Sequence, residues 1–409
     1  MIVKQIDGLD IRDLAVRFGT PTYVYSAGRI RENYHALNSA LSASYPTVRL
    51  QYAVKANMNL TVLRILRDCG AGADCASPGE IHAAERAGFA PEAISYTGNY
   101  ESPDDLGQVA KLRGLVNMDD VTSFERLCRI HVPERISFRI NPGLGRGAFE
   151  QINTGGEKSK FGIPFEQAEA AYRLARDRGV KRFGVHMMPG SSILDAEHFA
   201  QAATLLLDAV APVFAKLGLP LDFVDVGGGF GIPYADHETS LDLTAMAQGL
   251  SAAIVERLDR HHLGRPTLVC EPGRILVGNA GWLISRVSAV KQSYRRFVGV
   301  DAGMTTLLRP ALYGARHRVS VYGKSGTSGT ADLCGPVCES SDFFARDLAL
   351  PDVTEGDLIT FSEAGAYGYA MSSDYNGRPR PAEVLIDAGS ARVIRRRQSL
   401  DEILALNEV

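Results

Sequence analysis

The stretch QYAVKAN, Gln51 to Asn57, decides the fold, because it joins a predicted buried strand to a predicted helix across one lysine. β-Branched and aromatic residues are dense from Val48 to Val54, and such a run is typical of a strand buried on both faces. The dozen residues after Asn57 carry leucine and valine at helical spacing. A buried strand followed directly by a helix predicts one unit of a parallel α/β fold.

Lys55 is predicted to lie where this first strand ends. Apolar walls at such a place favour the neutral amine, and a neutral amine can attack a carbonyl and form a Schiff base. The alternative is a lysine that extends its ammonium group into solvent. Position alone favours the solvated lysine, and the rest of the sequence favours the reactive one.

The same alternation of strand and helix continues along the chain. It predicts a parallel (β/α)8 barrel of the TIM type. The eight candidate strands are Val48–Lys55, Ala71–Ala76, Ala93–Gly98, Gly114–Met118, Arg135–Ile140, Arg182–Met187, Asp222–Val226 and Thr267–Glu271.

From about residue 276 the pattern changes to short strands with few helical stretches between them. This predicts a second, mostly antiparallel β domain, completed by an amino-terminal strand at residues 21–26. A short amphipathic helix is predicted around Leu9 to Phe18. The predicted domains are therefore a barrel at 26–275 and a β domain formed by 1–25 and 276–409.

Composition limits the possible functions. The chain has 409 residues and a net charge of −3, which gives no electrostatic basis for binding nucleic acid. We expect no signal peptide and no membrane span, and hence a cytoplasmic protein. Six cysteines in a chain of this length do not form a disulfide framework. Cys334 and Cys338 lack a second Cys/His pair nearby, so no metal site is predicted.

Polar residues and glycines fall at the predicted carboxyl ends of the strands, where barrel enzymes place their chemistry. Each residue alone has a structural explanation, since His186 could be a core histidine and a triple glycine could be a tight turn. Together, a lysine, a glycine turn able to bind phosphate and an opposing carboxylate indicate pyridoxal phosphate. These residues are Lys55, Asp74, Arg139, His186, the turn Gly227–Gly231, and Glu271 to Arg274.

Several long motifs resemble those of the pyridoxal-phosphate decarboxylases of the alanine-racemase-like barrel fold, and the branch acting on diaminopimelate matches best. The resemblance extends from about residue 20 to 385. The motifs are YAVKAN, GADCASPGEI, INTGGEKSKFG, DVGGGFGIPY, EPGRILVGNAG, RPALYGARH, CGPVCESSD and EAGAYGYAMSSDYN.

The resemblance implies that Lys55 holds pyridoxal 5'-phosphate, that His186 stacks on its ring and that Glu271 pairs with its pyridine nitrogen. Racemases of this fold present arginine to that nitrogen, so Glu271 favours a decarboxylase. Further cofactor contacts are implied for Asp74, Arg139, Ser191, Gly227, Gly228, Gly229, Gly273, Arg274 and Tyr367. Substrate contacts are implied for Arg274, Arg309, Tyr313, Glu339 and Tyr367.

The resemblance also implies a homodimer with shared active sites. Cys338, which would return a proton to the substrate carbon, and Glu339, which would bind its far amino group, would come from the partner subunit. Lys160 is expected to face Asp342 of the other chain.

One loop departs from the family pattern. After His186 the chain runs Met187-Met188-Pro189-Gly190-Ser191, two residues longer than is usual, which leaves the role of Ser191 open. Comparable insertions resemble branches that act on conjugated or carrier-bound amino acids. The alternatives to meso-diaminopimelate are therefore a conjugated, carrier-bound or siderophore-precursor amino acid, or ornithine, lysine or arginine. A further alternative is a regulator that binds pyridoxal phosphate without catalysis.

Overall fold

The computed structural model describes residues 4–141, 146–147 and 159–407, with the backbone alone for 146–147. It divides into two compact units. One, here called the barrel unit, comprises Arg31–Ile232 and Thr239–Ile275. The other, the β unit, comprises Met1–Ile30, Pro233–Glu238 and Leu276–Val409. Within the predicted motif INTGGEKSKFG, residues 152–158 lie outside the described residues.

Eight parallel strands form the closed barrel of the barrel unit, which confirms the predicted fold class. The ring closes because the first strand pairs with the eighth, with Val48 beside Leu268. Lys55 is not part of the first strand as expected, because the chain turns into a short 3-10 helix, Val54–Ala56. The barrel strands are Val48–Ala53, Gly72–Cys75, Ile94–Thr97, Val116–Met118, Arg135–Asn141, Arg182–His186, Leu221–Asp225 and Thr267–Cys270.

Most of the helices between these strands begin at a side chain that accepts hydrogen bonds from free backbone amides. Ser77 accepts from the Glu80 amide, and Ser102 forms a capping box with Asp105. The barrel-unit helices are Leu60–Asp68, Pro78–Ala87, Pro103–Val109, Val121–Cys128, Ala168–Asp177, Ala196–Leu217 and Leu243–Arg260. Two more, Ala27–Ser44 and Arg274–Val277, contain a boundary between the units. The short strands are Arg146–Gly147, Ile163–Pro164 and Gly190–Ser191.

Helix Ala196–Leu217 is long and apolar enough to cross a membrane, judged by its length and composition alone. By these two criteria, the expectation that the chain has no such run was wrong. Within the described part of the chain it is the one helix with this property. It follows the sixth barrel strand and packs against Leu243–Arg260. Phe199, Leu206 and Phe214 are buried along it, which is the pattern of a barrel helix that covers a sheet.

The β unit is built around an amino-terminal strand, Thr22–Ser26. This strand pairs antiparallel with Gly281–Gln292 and parallel with Ala382–Asp387, which confirms that it completes the sheet. The other strands are Gln5–Ile6, Leu9–Asp10, Arg296–Val300, Val319–Val321, Gly329–Cys334, Phe343–Leu350, Leu358–Phe361 and Ser390–Arg395. The helices are Ile11–Phe18, Arg309–Tyr313 and Leu400–Leu404.

A tight contact inside the barrel depends on a glycine. Gly184 lies on the sixth strand, and a Cβ added there would lie 2.4 Å from the ring of Phe223 on the seventh. That ring is buried beside Leu115 and Val269. The missing side chain therefore makes the space that the phenyl ring occupies.

Gly184→Ala should lower the free energy of unfolding by about 1–3 kcal/mol, because overpacking displaces the Phe223 ring and the two strands. Denaturant unfolding followed by circular dichroism measures this change. Gly107→Ala is the matched control, since Gly107 is helical with open space around it, and it should be neutral or slightly stabilising. Equal stability of Gly184→Ala and the wild type would contradict the packing role of Gly184.

Candidate active site

Lys55 and Asp74 form an ion pair where the first two barrel strands end. Lys55 Nζ lies 3.0 Å from Asp74 Oδ2, and the lysine side chain is 42% exposed while the aspartate is fully buried. Burial and the nearby Glu271 raise the pKa of the Asp74 carboxyl to about 7, and Lys55 opposes this rise. The amine thus lies beside a buried carboxylate, whereas the sequence predicted apolar walls. The pair holds the amine at the barrel rim.

Glu271 follows the eighth strand and is buried in a network of polar side chains. Its Oε1 accepts a hydrogen bond from Thr97 Oγ1 at 3.1 Å and lies 3.5 Å from Asn117 Nδ2. Burial by itself would raise the pKa of this carboxyl, but His186, Lys55 and Arg139 outweigh burial and lower the pKa to about 2. Glu271 is therefore ionised at neutral pH although it is buried.

His186 ends the sixth strand and is fully buried beside Glu271. Its Nε2 lies 3.3 Å from Glu271 Oε1. Neither ring nitrogen makes a hydrogen bond with any of the described residues, so the 3.3 Å approach is not aligned as one. Burial lowers the pKa of the imidazole, and the adjacent Glu271 carboxylate opposes this shift.

His186, Asp225 and Glu271 bring possible metal-ligand atoms within 4.8 Å of one another. Asp225, however, already accepts hydrogen bonds from the Gly227 amide at 2.9 Å and from Asn117 Nδ2 at 3.2 Å. Its pKa lies well above the usual range, because it is buried and faces Glu271. Asp225 and Glu271 are therefore already linked through Asn117 in a hydrogen-bonded network.

The glycine turn after the seventh strand passes close to two other backbone segments. Gly227 and Gly229 have φ of +68° and +92°, which favour glycine. A Cβ on Gly228 would lie 2.4 Å from the Glu271 carbonyl oxygen, and one on Gly229 would lie 2.9 Å from that of Gly190. The turn therefore packs so closely against neighbouring backbone that side chains do not fit at Gly228 and Gly229.

The loop with the two-residue insertion lies against this turn. The Gly228 amide donates to Met188 Sδ at 3.3 Å, and Met187 is buried. Ser191 is half-buried, and its Oγ lies 3.5 Å from Nη2 of the buried Arg274. The structure thus brings Ser191 and Arg274 together, with Gly273 buried next to Arg274 in the chain.

Arg139 lies on the fifth strand, 4.0 Å from Asp119 and with its guanidinium 4.4 Å from the ring centre of Phe161. Its charge acts on Asp119, Glu271 and Asp74, in that order of strength. Arg139 therefore interacts electrostatically with the buried carboxyl groups, as expected for a residue at the barrel rim.

Five predicted site residues belong to the β unit: Arg309, Tyr313, Cys338, Glu339 and Tyr367. Arg309 and Tyr313 begin and end one short helix. Arg309 is 2% exposed, and its Nη1 donates to His317 Nε2 at 2.9 Å. Tyr367 is half-buried and has a φ of +56°, an uncommon value for a residue with a side chain.

Cys338 and Glu339 lie on an exposed turn that is held from within its own unit. The Cys338 amide donates to Asn376 Oδ1 at 3.0 Å, and Tyr375 Oη donates to Glu339 at 2.6 Å. The buried Asp342 carboxylate accepts from the amides of Met304 and Val337 at 2.6 and 2.7 Å. Asp342 therefore shapes the turn that presents the thiol.

Sequence reasoning missed part of the network around Glu271. Thr97 ends the third strand, Asn117 lies in the fourth, and Asp225 ends the seventh. Asn117 donates to Thr97 Oγ1 at 2.9 Å and accepts from Ser137. The sequence signal for these missed residues was a polar side chain near the carboxyl end of a buried strand. The same signal identified the other predicted residues of the barrel rim.

Comparison with known proteins agrees with this arrangement. Residues 27–278 match the family described as pyridoxal-dependent decarboxylase, pyridoxal binding domain. The diaminopimelate decarboxylase of Methanothermobacter thermautotrophicus is 46% identical over 404 residues, 98% of this chain and 94% of that protein. That of Escherichia coli K12 is 38% identical over 412 residues, 96% of this chain and 95% of the relative.

A solved structure gives the same result for the fold. Diaminopimelate decarboxylase from Helicobacter pylori, complexed with L-lysine, superposes with a TM-score of 0.90 at 35% identity, covering 98% of this chain and 99% of that one. Both the matching family model and relatives this similar over nearly the full length establish a common family. The chain belongs to the diaminopimelate decarboxylase family of pyridoxal-dependent decarboxylases.

Proposed function

We propose that this enzyme binds pyridoxal 5'-phosphate through Lys55 and decarboxylates meso-diaminopimelate to L-lysine. The observation that carries the proposal is Glu271, a buried carboxylate with a pKa of about 2 in the same rim network as the lysine. The full-length diaminopimelate decarboxylase relatives favour an enzyme over a regulator that only binds the cofactor.

The residues of the rim fit the cofactor. The Gly227–Gly229 turn is proposed to approach a phosphate through the half-buried Gly229, because the Gly227 and Gly228 amides already donate to Asp225 and Met188. The buried imidazole of His186 can lie against an aromatic ring. Asp74, Arg139, Ser191, Gly273, Arg274 and Tyr367 are proposed as further cofactor contacts.

Pyridoxal phosphate, when bound, supplies an electron-accepting ring for the pair of electrons that remains after a carboxylate leaves the α-carbon. Glu271 holds a proton on the pyridine nitrogen by favouring its charged form. An arginine in that place would favour the unprotonated nitrogen, so Glu271 supports decarboxylation over racemisation. Cys338 would then deliver a proton to the α-carbon, since a thiol can act as a general acid.

The substrate is proposed from charge and from the relatives. Arg274 and Arg309 suit carboxylates, and the acidic Glu339 suits a distant ammonium group, so a substrate with an amino acid group at each end satisfies all three. Tyr313 and Tyr367 would add hydrogen bonds. The H. pylori relative was solved with L-lysine, which decarboxylation of meso-diaminopimelate yields.

A related decarboxylase is the second candidate, and one observation favours it. The insertion at Met187–Pro189 lies against the glycine turn, as the Met188–Gly228 contact shows. An altered loop there suits a substrate that is conjugated, carrier-bound or a siderophore precursor, and ornithine, lysine or arginine are further candidates. The full-length relatives favour diaminopimelate over all of these.

We also propose a cytoplasmic homodimer with shared active sites. The family resemblance supports it, and so does the Asp342-shaped turn, which exposes Cys338 and Glu339. Lys160, whose ammonium lies 5.1 Å from the ring centre of Phe161, is proposed to face Asp342 of the partner subunit. The two aromatic rings near Lys160 would hold its side chain in place for that contact.

Lys55→Ala should abolish the visible absorbance of lysine-bound pyridoxal phosphate, because no other amine replaces it. Borohydride reduction followed by peptide mass mapping should place the cofactor on Lys55 in the wild type. Lys111→Ala, an exposed lysine of the same unit, is the control and should keep the band. Retention of the band in Lys55→Ala would remove Lys55 from this role.

A substrate panel should show carbon dioxide release fastest from meso-diaminopimelate. The panel contains ornithine, lysine, arginine and a citrate-conjugated amino acid, with Lys55→Ala protein as the blank. We expect kcat/KM for meso-diaminopimelate to be at least about a hundred-fold higher than for the other compounds. A substrate that lacks one of the charged groups leaves its protein partner without a hydrogen bond. Turnover of another compound without meso-diaminopimelate turnover would reject the proposed substrate.

Mixing two impaired variants tests the shared site. Lys55→Ala and Cys338→Ala homodimers should each be slow, because every site carries one lesion. In a mixed dimer one site carries both lesions and the other none, so random exchange should restore up to about a quarter of wild-type activity. Activity no higher than the average of the two parents would indicate that each site is built from one chain.

A further inference from the structure

His317 is a residue of the β unit that the proposed chemistry does not use, yet it contacts Arg309. Arg309 Nη1 lies 2.9 Å from His317 Nε2, and His317 Nδ1 lies 2.9 Å from the Ser362 carbonyl oxygen. All three residues are buried. The contacts form one chain of hydrogen bonds that runs from the end of strand Leu358–Phe361 to the helix that begins at Arg309.

The partners at both ends fix the protonation of the imidazole. A carbonyl oxygen only accepts hydrogen bonds, so Nδ1 must carry the hydrogen. A guanidinium only donates, so Nε2 must be the unprotonated acceptor. His317 is therefore a neutral ring in a single tautomer, and each of its two nitrogens has a defined task.

A neutral acceptor orients a guanidinium without cancelling its charge. The His317 contact adds no opposing charge to Arg309. A neutral partner of this kind can fix the direction of a guanidinium that recognises a carboxylate.

Tyr234 packs against both members of the pair. The Arg309 guanidinium carbon lies 4.5 Å from the centre of the Tyr234 ring, and the ring meets His317 edge to face at 5.4 Å. An aromatic face under a guanidinium holds its plane while leaving its charge intact. The guanidinium is thus restrained by a ring face and by a neutral nitrogen.

We propose that His317 is a positioning residue for substrate binding, which holds the Arg309 fork in the orientation that takes a substrate carboxylate. The inference rests on the proposed function for the identity of the substrate. His317 touches neither substrate nor cofactor in this proposal and acts through Arg309 alone.

His317→Ala should raise KM for meso-diaminopimelate by about ten-fold and change kcat by less than about three-fold, because a hydrogen bond to a charged group is lost outside the reacting bonds. His317→Gln, whose amide oxygen can accept from Arg309, should recover most of the KM. Tyr45→Phe, which removes a buried hydrogen bond to the Pro266 carbonyl in the barrel unit, is the control and should leave KM unchanged.

His317→Glu separates orientation from charge. A carboxylate can still accept from Arg309 but opposes its charge, so KM should rise more than in His317→Ala. It cannot donate to the Ser362 carbonyl, so the melting temperature should fall as well. Unchanged KM in both His317→Ala and His317→Glu, with a melting temperature lowered as in Tyr45→Phe, would mean that His317 only packs.

A double-mutant cycle with Arg309→Lys tests the link itself. In the Arg309→Lys background, His317→Ala should change KM by less than about two-fold, and the denaturation midpoints of the four proteins should be non-additive. Additive midpoints would overturn the inference without any substrate. Absence of carbon dioxide release from meso-diaminopimelate by the wild type would instead reject the proposed function and leave the midpoint cycle valid.

Discussion

A carboxylate that stays charged inside the barrel is the constraint on which this site depends. Glu271 is buried, and burial alone would protonate it. His186, Lys55 and Arg139 lower the pKa of Glu271 despite its burial. The pKa values of Asp74 and Asp225, which are buried near Glu271, are raised instead. Three acidic groups share one interior, and the fold allows only one of them to be strongly acidic.

The barrel provides this arrangement because its strands all end at one rim. Residues that are far apart in the sequence, such as Thr97 and Glu271, come within hydrogen-bond distance at 3.1 Å. The backbone of the rim contributes as much as its side chains, since the Glu271 amide bonds the Gly227 carbonyl at 2.7 Å. The glycine turn and the carboxylate are thereby fixed to each other.

The sequence predicted the barrel well because its signal is strong and repeated. Most of the barrel strands contain β-branched or aromatic residues, and the observed bounds differ from the predicted ones by a few residues at most. Strand Phe343–Leu350 was missed because it carries Arg346 and Asp347 among its apolar residues, as exposed strands often do. Asn117 was missed because one polar residue inside an apolar strand does not interrupt the pattern, and His317 because a lone histidine has no signature.

In the sheet of the β unit, a strand that is synthesised early pairs with two strands that are synthesised late. Strand Thr22–Ser26 lies between Gly281–Gln292 and Ala382–Asp387, so its two neighbours leave the ribosome long after it does. At cellular elongation rates the delay is on the order of tens of seconds. During that interval an apolar segment with two unpaired edges, Tyr23-Val24-Tyr25, awaits its partners, and it is the place where a holdase chaperone would be most useful to the nascent chain.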